Sequence, residues 1–294
     1  MARCGSRSTR NDEADRVVTS PGDAGPRARG SRATRSPAPP GDAVPPRVTP
    51  TVTATSPSAL VLRLQEICGD DNVFYEDKFA MIWNIGGSIK GFAQQGCMAA
   101  CHAGEAGKPF GNKYLANEGE LGDIWHMKSI RTGYIGQVDD QYLDHTRYDK
   151  DKSPEAGRKS DPKTGGAYTD IKLVNGKPEF MHKNGVAANQ KRGTYYLNEA
   201  DKTAFDDSKF KPGDEVASIL VSPFVGDRGD IATAIAWKSG KWTSVMSRKL
   251  VTGSKYDVQF DKLGDTYDFG LAAFDNAQVR HAYNMGALHL KFAK

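Results

Sequence analysis

The sequence predicts an all-β fold: an antiparallel β-sandwich with short helices and long loops, preceded by an unstructured tail. Three observations predict it. Short apolar runs such as 59–64 (ALVLRL) and 78–85 (KFAMIWNI) are bounded by the turn-forming CGDDN and GGS. In the segment 230–250, Ile231, Thr233, Ile235 and Trp237 alternate with Ala232, Ala234 and Ala236, the period of a strand with one buried face. Ser239-Gly240 then turns the chain into a second strand starting at Trp242, which makes a hairpin. Further strand-like runs, VASILVS, KYDVQF, YDFGLAAFD and GALHLKF, come without interleaved long amphipathic helices, which excludes a doubly wound parallel sheet.

The 294 residues include 38% hydrophobic side chains, with 12 Phe, 11 Tyr and 4 Trp, enough for a packed core. The mean hydropathy of −0.58 and the lack of any apolar run of about 18 residues exclude a membrane span. Residues 1–57 hold nine Arg and five acidic residues, so the whole net charge of +4 resides there and the remainder is neutral. No basic face and no DNA- or RNA-binding motif follows, and nucleic acid is rejected as a partner. This Arg/Pro-rich stretch cannot bury apolar surface and reads as a disordered tail. It contains no Lys, the first being Lys78, whereas Lys outnumbers Arg beyond it. The shift points to a tail foreign to the mature protein, with a misassigned start; a natural Arg-rich linker is the alternative. No apolar segment of a signal peptide is visible in it. Residues 58–294 then form the folded domain, with a polar Lys/Asp/Gly-rich insertion at about 145–213 over one end of the sandwich.

The segment 119–131 (GELGDIWHMKSIR) is expected to be a helix, because Leu121, Ile124, Trp125 and Lys128 stand at helical spacing. Val138-Asp139-Asp140 reads as a solvated turn or cap.

Chemistry concentrates in QQGCMAACHAGEAGKP, where Cys97 and Cys101 stand four apart and His102 follows directly. On a short helical turn the two sulfurs would share a face, with the imidazole about 100° further round. Covalent haem needs such a set: two thiols for the vinyl groups and an adjacent imidazole for the iron. The usual spacing is C-x-x-C-H, and one residue is added here. A redox dithiol would require C-x-x-C in a βαβ unit, which is missing. Zinc on Cys97, Cys101, His102 and His126 is a further option, although adjacent Cys101 and His102 suit tetrahedral geometry poorly. Two buried cysteines beside a chance His remain possible on local grounds. Cys4 and Cys68 lie far from the pair and read as incidental. For a sixth iron ligand His126 is the first choice, ahead of Met127, Met285 and His281.

Three stretches together, GCMAACHAGE, GELGDIWHMKSIRTGYIGQVDDQYLD and FGLAAFDNAQVRHAYNMGALHL, resemble the haem-binding domains of the ethylbenzene dehydrogenase γ subunit and of related DMSO-reductase-type molybdenum enzymes. The resemblance runs from about residue 58 to the end. It implies a β-sandwich with haem lodged between loops at one side. Members divide into a b-type branch, with Met and Lys on the iron, and a c-type branch attached through Cys…Cys-His; this chain resembles the latter. The resemblance therefore implies haem c bound by Cys97 and Cys101, with His102 and His126 on the iron, and Lys238 as a weaker alternative ligand. It implies a periplasmic cytochrome that transfers single electrons and is no enzyme by itself. Its redox partner would be a molybdenum oxidoreductase or a soluble cytochrome. The rival class is a haem-free carbohydrate-binding sandwich, for which exposed Tyr195, Tyr196 and Trp242 would be the platform.

Overall fold

Ile231, Thr233, Ile235 and Trp237 point to one side and the more exposed Ala232, Ala234 and Ala236 to the other, as their alternation requires. The structure, a computed structural model, describes residues 51–56, 59–67, 76–100, 113–275, 277 and 281–293, the stretch 51–67 as backbone only. The chain enters through β1 (Thr51–Ser56), β2 (Ala59–Ile67), β3 (Lys78–Asn84), β4 (Gly122–Lys128) and β5 (Asp139–Leu143). Short strands follow: β6 (Arg158–Ser160), β7 (Gly165–Asp170), β8 (Leu173–Val174), β9 (Lys177–Pro178), β10 (Phe180–His182), β11 (Tyr196–Asn198) and β12 (Lys202–Ala204). Longer ones close the fold: β13 (Ile219–Val225), β14 (Ala232–Lys238), β15 (Lys241–Lys249), β16 (Thr266–Phe274), β17 (Ala282–Tyr283) and β18 (Leu288–Lys291).

Two main sheets result. The larger has the order β17-β16-β3-β4-β5-β6, with β18 also paired to β16; the smaller has the order β1-β2-β15-β14. Both are antiparallel throughout. Between them lies the main core, in which Phe79, Met81, Trp83, Trp125 and Met127 from the larger sheet meet Ile231 and Met246. Trp83 is its centre, stacked on Phe269 at 4.6 Å and edge-on to Phe260 at 5.1 Å. The expected all-β architecture is therefore present. The β14–β15 hairpin turns at Ser239 and Gly240, both at positive φ (52° and 75°), the two-residue turn whose twist matches the strands.

Three expectations are corrected. The segment 119–131 is no helix: Gly122–Lys128 is a central strand paired with β3 and β5. Its inner face carries Asp123 beside Trp125 and Met127 and its outer face Ile124 beside His126 and Lys128, so polar and apolar residues do not separate cleanly by face, and the apolar positions matched a helical period by coincidence. Asp139 and Asp140 are not solvated; they lie on β5 with no exposed surface. Thr51–Ser56 forms β1, inside the stretch assigned to the tail; residues 1–50 and 57 lie outside the described ones. The polar insertion at 145–213 carries short strands, some in two-stranded sheets and some with β13, where β11 makes a parallel pair. Among the described residues no helix is long and apolar enough to cross a membrane.

Candidate functional site

The outer face of the larger sheet carries the site. Successive residues of a strand point to opposite faces, so while Trp125 and Met127 enter the main core, Ile124, His126 and Lys128 point outward. The antiparallel register sets beside them Asp139 on one flank and Ala80, then Ala272, on the other. One row further along come Gln141, Ile82 and Gly270. Next to His126 the floor is thus made of alanine, and both alanines are only partly covered. The Phe274 ring stacks against the His126 imidazole, centroids 5.6 Å apart, and His281 lies against Phe274 at 4.4 Å.

A second layer covers part of this face. After Ile89 the chain makes a single helical turn, α1 (Phe92–Gln95), and a 3-10 turn at Cys97–Ala99. Phe92, Cys97, Ala100 and Leu115 pack there with Ile82, Ile89 and Leu143. Gly96 between the two turns has φ +56°, and a Cβ on it would overlap the Gly286 carbonyl. The two glycines form an isolated parallel bridge, which pins the residue before Cys97 to the C-terminal segment. Cys97 is 8% exposed, and its Sγ occupies the space above Gly270 where a side chain would otherwise stand. Cys97 and His126 therefore share one sheet face. Gly270 and His126 are two strands and two residues apart, a separation of about 12 Å from sheet spacing. Cys101 and His102 lie outside the described residues, as do Cys4 and Cys68.

The hydrogen bonds of His126 decide its chemical state. Gln141 Nε2 donates to Asp139 Oδ2 at 3.3 Å, which leaves Gln141 Oε1 facing His126 Nδ1 at 3.2 Å. Arg158 Nη1 also donates to that oxygen, at 3.1 Å. A carbonyl oxygen only accepts, so the proton of the neutral ring sits on Nδ1 and Nε2 carries the lone pair. Nε2 is shielded from solvent and has no hydrogen-bond partner among the described residues. Burial, followed by the positive charges of Lys128 and Arg158, pushes the pKa of His126 well below the usual histidine value. The imidazole is neutral at physiological pH with its lone pair available, the form that binds a metal ion.

Asp139 anchors this arrangement. Its carboxylate takes the Lys128 ammonium, Tyr168 OH at 2.9 Å and Arg228 Nε at 2.6 Å, besides Gln141. Burial opposes its ionisation, but Lys128 and Arg228 outweigh burial and hold the carboxyl at about 2.

The other ligand candidates fare differently. Met127 is buried in the main core, on the opposite face of β4. Met285 is 77% exposed. Lys238 ends β14 in the smaller sheet, away from the face that carries His126. His281 is near, with Phe274 between it and His126. Trp242 does not form an exposed platform: it is buried and donates from Nε1 to Asp77 at 2.9 Å. Tyr196 stacks on Tyr134, with centroids 5.7 Å apart. The sequence reading gave Gln141 no role and took Asp139 for a solvated turn residue; the missed signal was that VDDQYL can be read as a strand, which sends alternate side chains to one face.

Residues 65–286 match a family model described as ethylbenzene dehydrogenase. The chain belongs to the ethylbenzene dehydrogenase family. The match spans β3, β4, β5 and β16, together with Cys97, Cys101, His102 and His126. A search of curated proteins gave no match. Membership ties the chain to a molybdenum-enzyme-associated subunit and to other subunits of an oxidoreductase complex.

The groups on this sheet face fit a haem. The shielded Nε2 without a partner, the alanine floor, the stacked Phe274 ring and a buried thiol on the same face are the donor and the apolar surroundings that a porphyrin iron uses.

Proposed function

We propose that this chain is a periplasmic c-type cytochrome subunit, in which haem joined to Cys97 and Cys101 is ligated by His102 and His126. The observation that carries the proposal is the neutral, partnerless His126 Nε2 on the sheet face that also holds Cys97. Haem bound there would supply one-electron exchange between Fe(III) and Fe(II). The residues of the chain would position and shield it: Gln141 fixes the His126 tautomer, Phe274 restrains the ring, and the cluster of Ile82, Phe92 and Leu115 keeps water from the Cys97 side. With two imidazoles on the iron no position is left for a substrate. The chain itself is therefore no enzyme but passes electrons between a redox partner, a molybdenum oxidoreductase, and a carrier such as a soluble cytochrome. Covalent attachment belongs to the periplasmic side of bacterial membranes, hence the location.

Expression in a host that assembles c-type cytochromes tests this. The expected product retains its colour after acid–acetone extraction and has an intact mass raised by one haem. A mass equal to the bare polypeptide overturns the proposal. On the loaded protein, His102→Ala is expected to abolish low-spin ligation and His126→Ala to leave five-coordinate, high-spin iron. A low-spin spectrum surviving in His126→Ala places the sixth ligand elsewhere. Mapping the N-terminus of the haem-loaded protein tests export: an intact tail beginning at Met1 counts against it.

A further inference from the structure

A separate group of acids lies on the other side of β5. Because β5 alternates, Asp139 points to the His126 face and Asp140 to the inner face. Asp140 there meets Asp161, whose backbone N–H donates to the Asp140 carbonyl at 3.2 Å, and Asp257 from the loop after β15. One carboxylate oxygen from each of the three lies within 4.8 Å of the others. Their exposures are 0%, 3% and 1%.

Acidic patches on a protein surface are common and need no ion, because water solvates them. Here water is excluded. Both oxygens of Asp161, both of Asp257 and Oδ2 of Asp140 are buried and accept no hydrogen bond from an N–H or hydroxyl donor among the described residues. A fourth residue adds an independent sign. Asp123, fully buried, uses Oδ2 for three donors: Trp125 Nε1 at 3.0 Å, Arg248 Nη1 at 3.0 Å and the Val258 amide at 2.9 Å. Its Oδ1 has no hydrogen-bond partner among the described residues. Arg248 Nη1 also lies 3.6 Å from Asp257 Oδ2, so Asp123 and the trio share one guanidinium. These four carboxylates, with Asp230 beside Asp140 as a fifth, share one bonded cation in a low-dielectric interior, an arrangement that requires further positive charge or protons.

We propose that Asp140, Asp161 and Asp257, backed by Asp123, bind one divalent cation of the calcium class, which fastens the loop 250–265 to the β5–β6 edge. The donors are all hard oxygens, with no nitrogen or sulfur, which disfavours zinc and the softer metals. Calcium–oxygen distances of about 2.3–2.6 Å let one ion touch oxygens up to about 5 Å apart, whereas magnesium demands a tighter octahedron. A cation would supply the positive charge that this group of carboxylates lacks.

The full-length chain, dialysed against chelator and then metal-free buffer, is titrated with calcium while binding stoichiometry and thermal unfolding are followed. The expected result is one calcium per chain and a Tm raised by about 5–10 °C at a hundredfold excess over Kd. Terbium should also bind, with emission excited through Trp125 and the stacked Tyr142–Tyr256 pair, and calcium should displace it. Asp161→Asn, which keeps the shape and removes the charge, is expected to lose both signals. If that variant does not fold, Asp257→Asn and the terbium titration of the unaltered chain carry the test. No calcium or terbium bound at millimolar concentration, with Tm unmoved, overturns the proposal and assigns the balance to shared protons. Binding unchanged in a folded Asp161→Asn also overturns it.

Discussion

The ion group around Asp139 should respond very unequally to loss of its two buried ends. Lys128 is 2% exposed, and its ammonium bonds to Asp139 and to Tyr168 OH at 2.7 Å. Asp139→Ala would leave that ammonium buried with the Tyr168 phenol oxygen as its one remaining hydrogen-bond partner among the described residues, and would strip Arg228 Nε of its acceptor. Removing one partner of a buried pair costs about 3–5 kcal/mol, because the other charge is left uncompensated. Lys128→Met differs. Asp139 would keep Arg228 Nε, Tyr168 OH and Gln141 Nε2, and a buried ammonium would be exchanged for a thioether of similar length. The loss is then one charge-assisted hydrogen bond, about 1.5–3 kcal/mol, reduced by relief of the ammonium's desolvation. Asp139→Ala should therefore be the more damaging change by about 2 kcal/mol, roughly 4–8 °C in Tm for a domain of this size. Urea unfolding followed through the buried Trp83 and Trp125 measures both variants. Equal losses, or a larger one for Lys128→Met, would refute the assignment of Asp139 as the anchor.

The remaining expectations are more local. Asp139 is held at about 2 against about 3.9 in an unfolded chain, so its folded pKa is depressed. Its contribution, about 2 kcal/mol, is complete above pH 4 and lost as pH falls from about 4 to 2; a folded Asp139→Asn should lack that part of the acid-unfolding profile. Gly270→Ala sets a Cβ against Cys97 Sγ, inside 3.0 Å, and should destabilise the fold by about 1–3 kcal/mol. Adding Cys97→Ala to it should recover part of that loss, and a purely additive double variant would disprove the placement of Cys97. Gln141→Leu removes the acceptor that holds the His126 proton on Nδ1; nitrogen NMR of the haem-free chain should then show a mixture of tautomers, and an unchanged spectrum would show that Gln141 does not set it.

How much of this was readable beforehand depended on whether water reached one face of an element. β14 and β15 were legible because Ile231 to Trp237 alternate between core and solvent, and Ser239-Gly240 can adopt two successive positive φ values. β4 was not, since Asp123 shares the inner face with Trp125 while Ile124, packed on the second apolar cluster, shares the outer face with His126, so neither face is uniformly polar or apolar. The pair Asp139-Asp140 misled for a related reason. Adjacent acids suggest a turn, yet a strand sends them to opposite sides, one to an ion group beside His126 and one to the acids around Arg248. His126 was found as a candidate from its place in the chain; its tautomer depends on Gln141, fifteen residues on, and only the β4–β5 register brings the two together.

Strand β3 has a consequence for how the protein is made. It lies between β4, some forty residues ahead, and β16, nearly two hundred residues ahead. Ala272, beyond Ala80 in the row that holds His126, and the Gly286 that pins Gly96 leave the ribosome long after β3. The β3–β4 ribbon must wait, half-clad, for a distant partner, and pairings of this range form slowly. If haem is joined at Cys97 as proposed, the attaching enzyme would meet Gly96 either before or after Gly286 has paired with it, so the order of folding and attachment would decide which form it acts on.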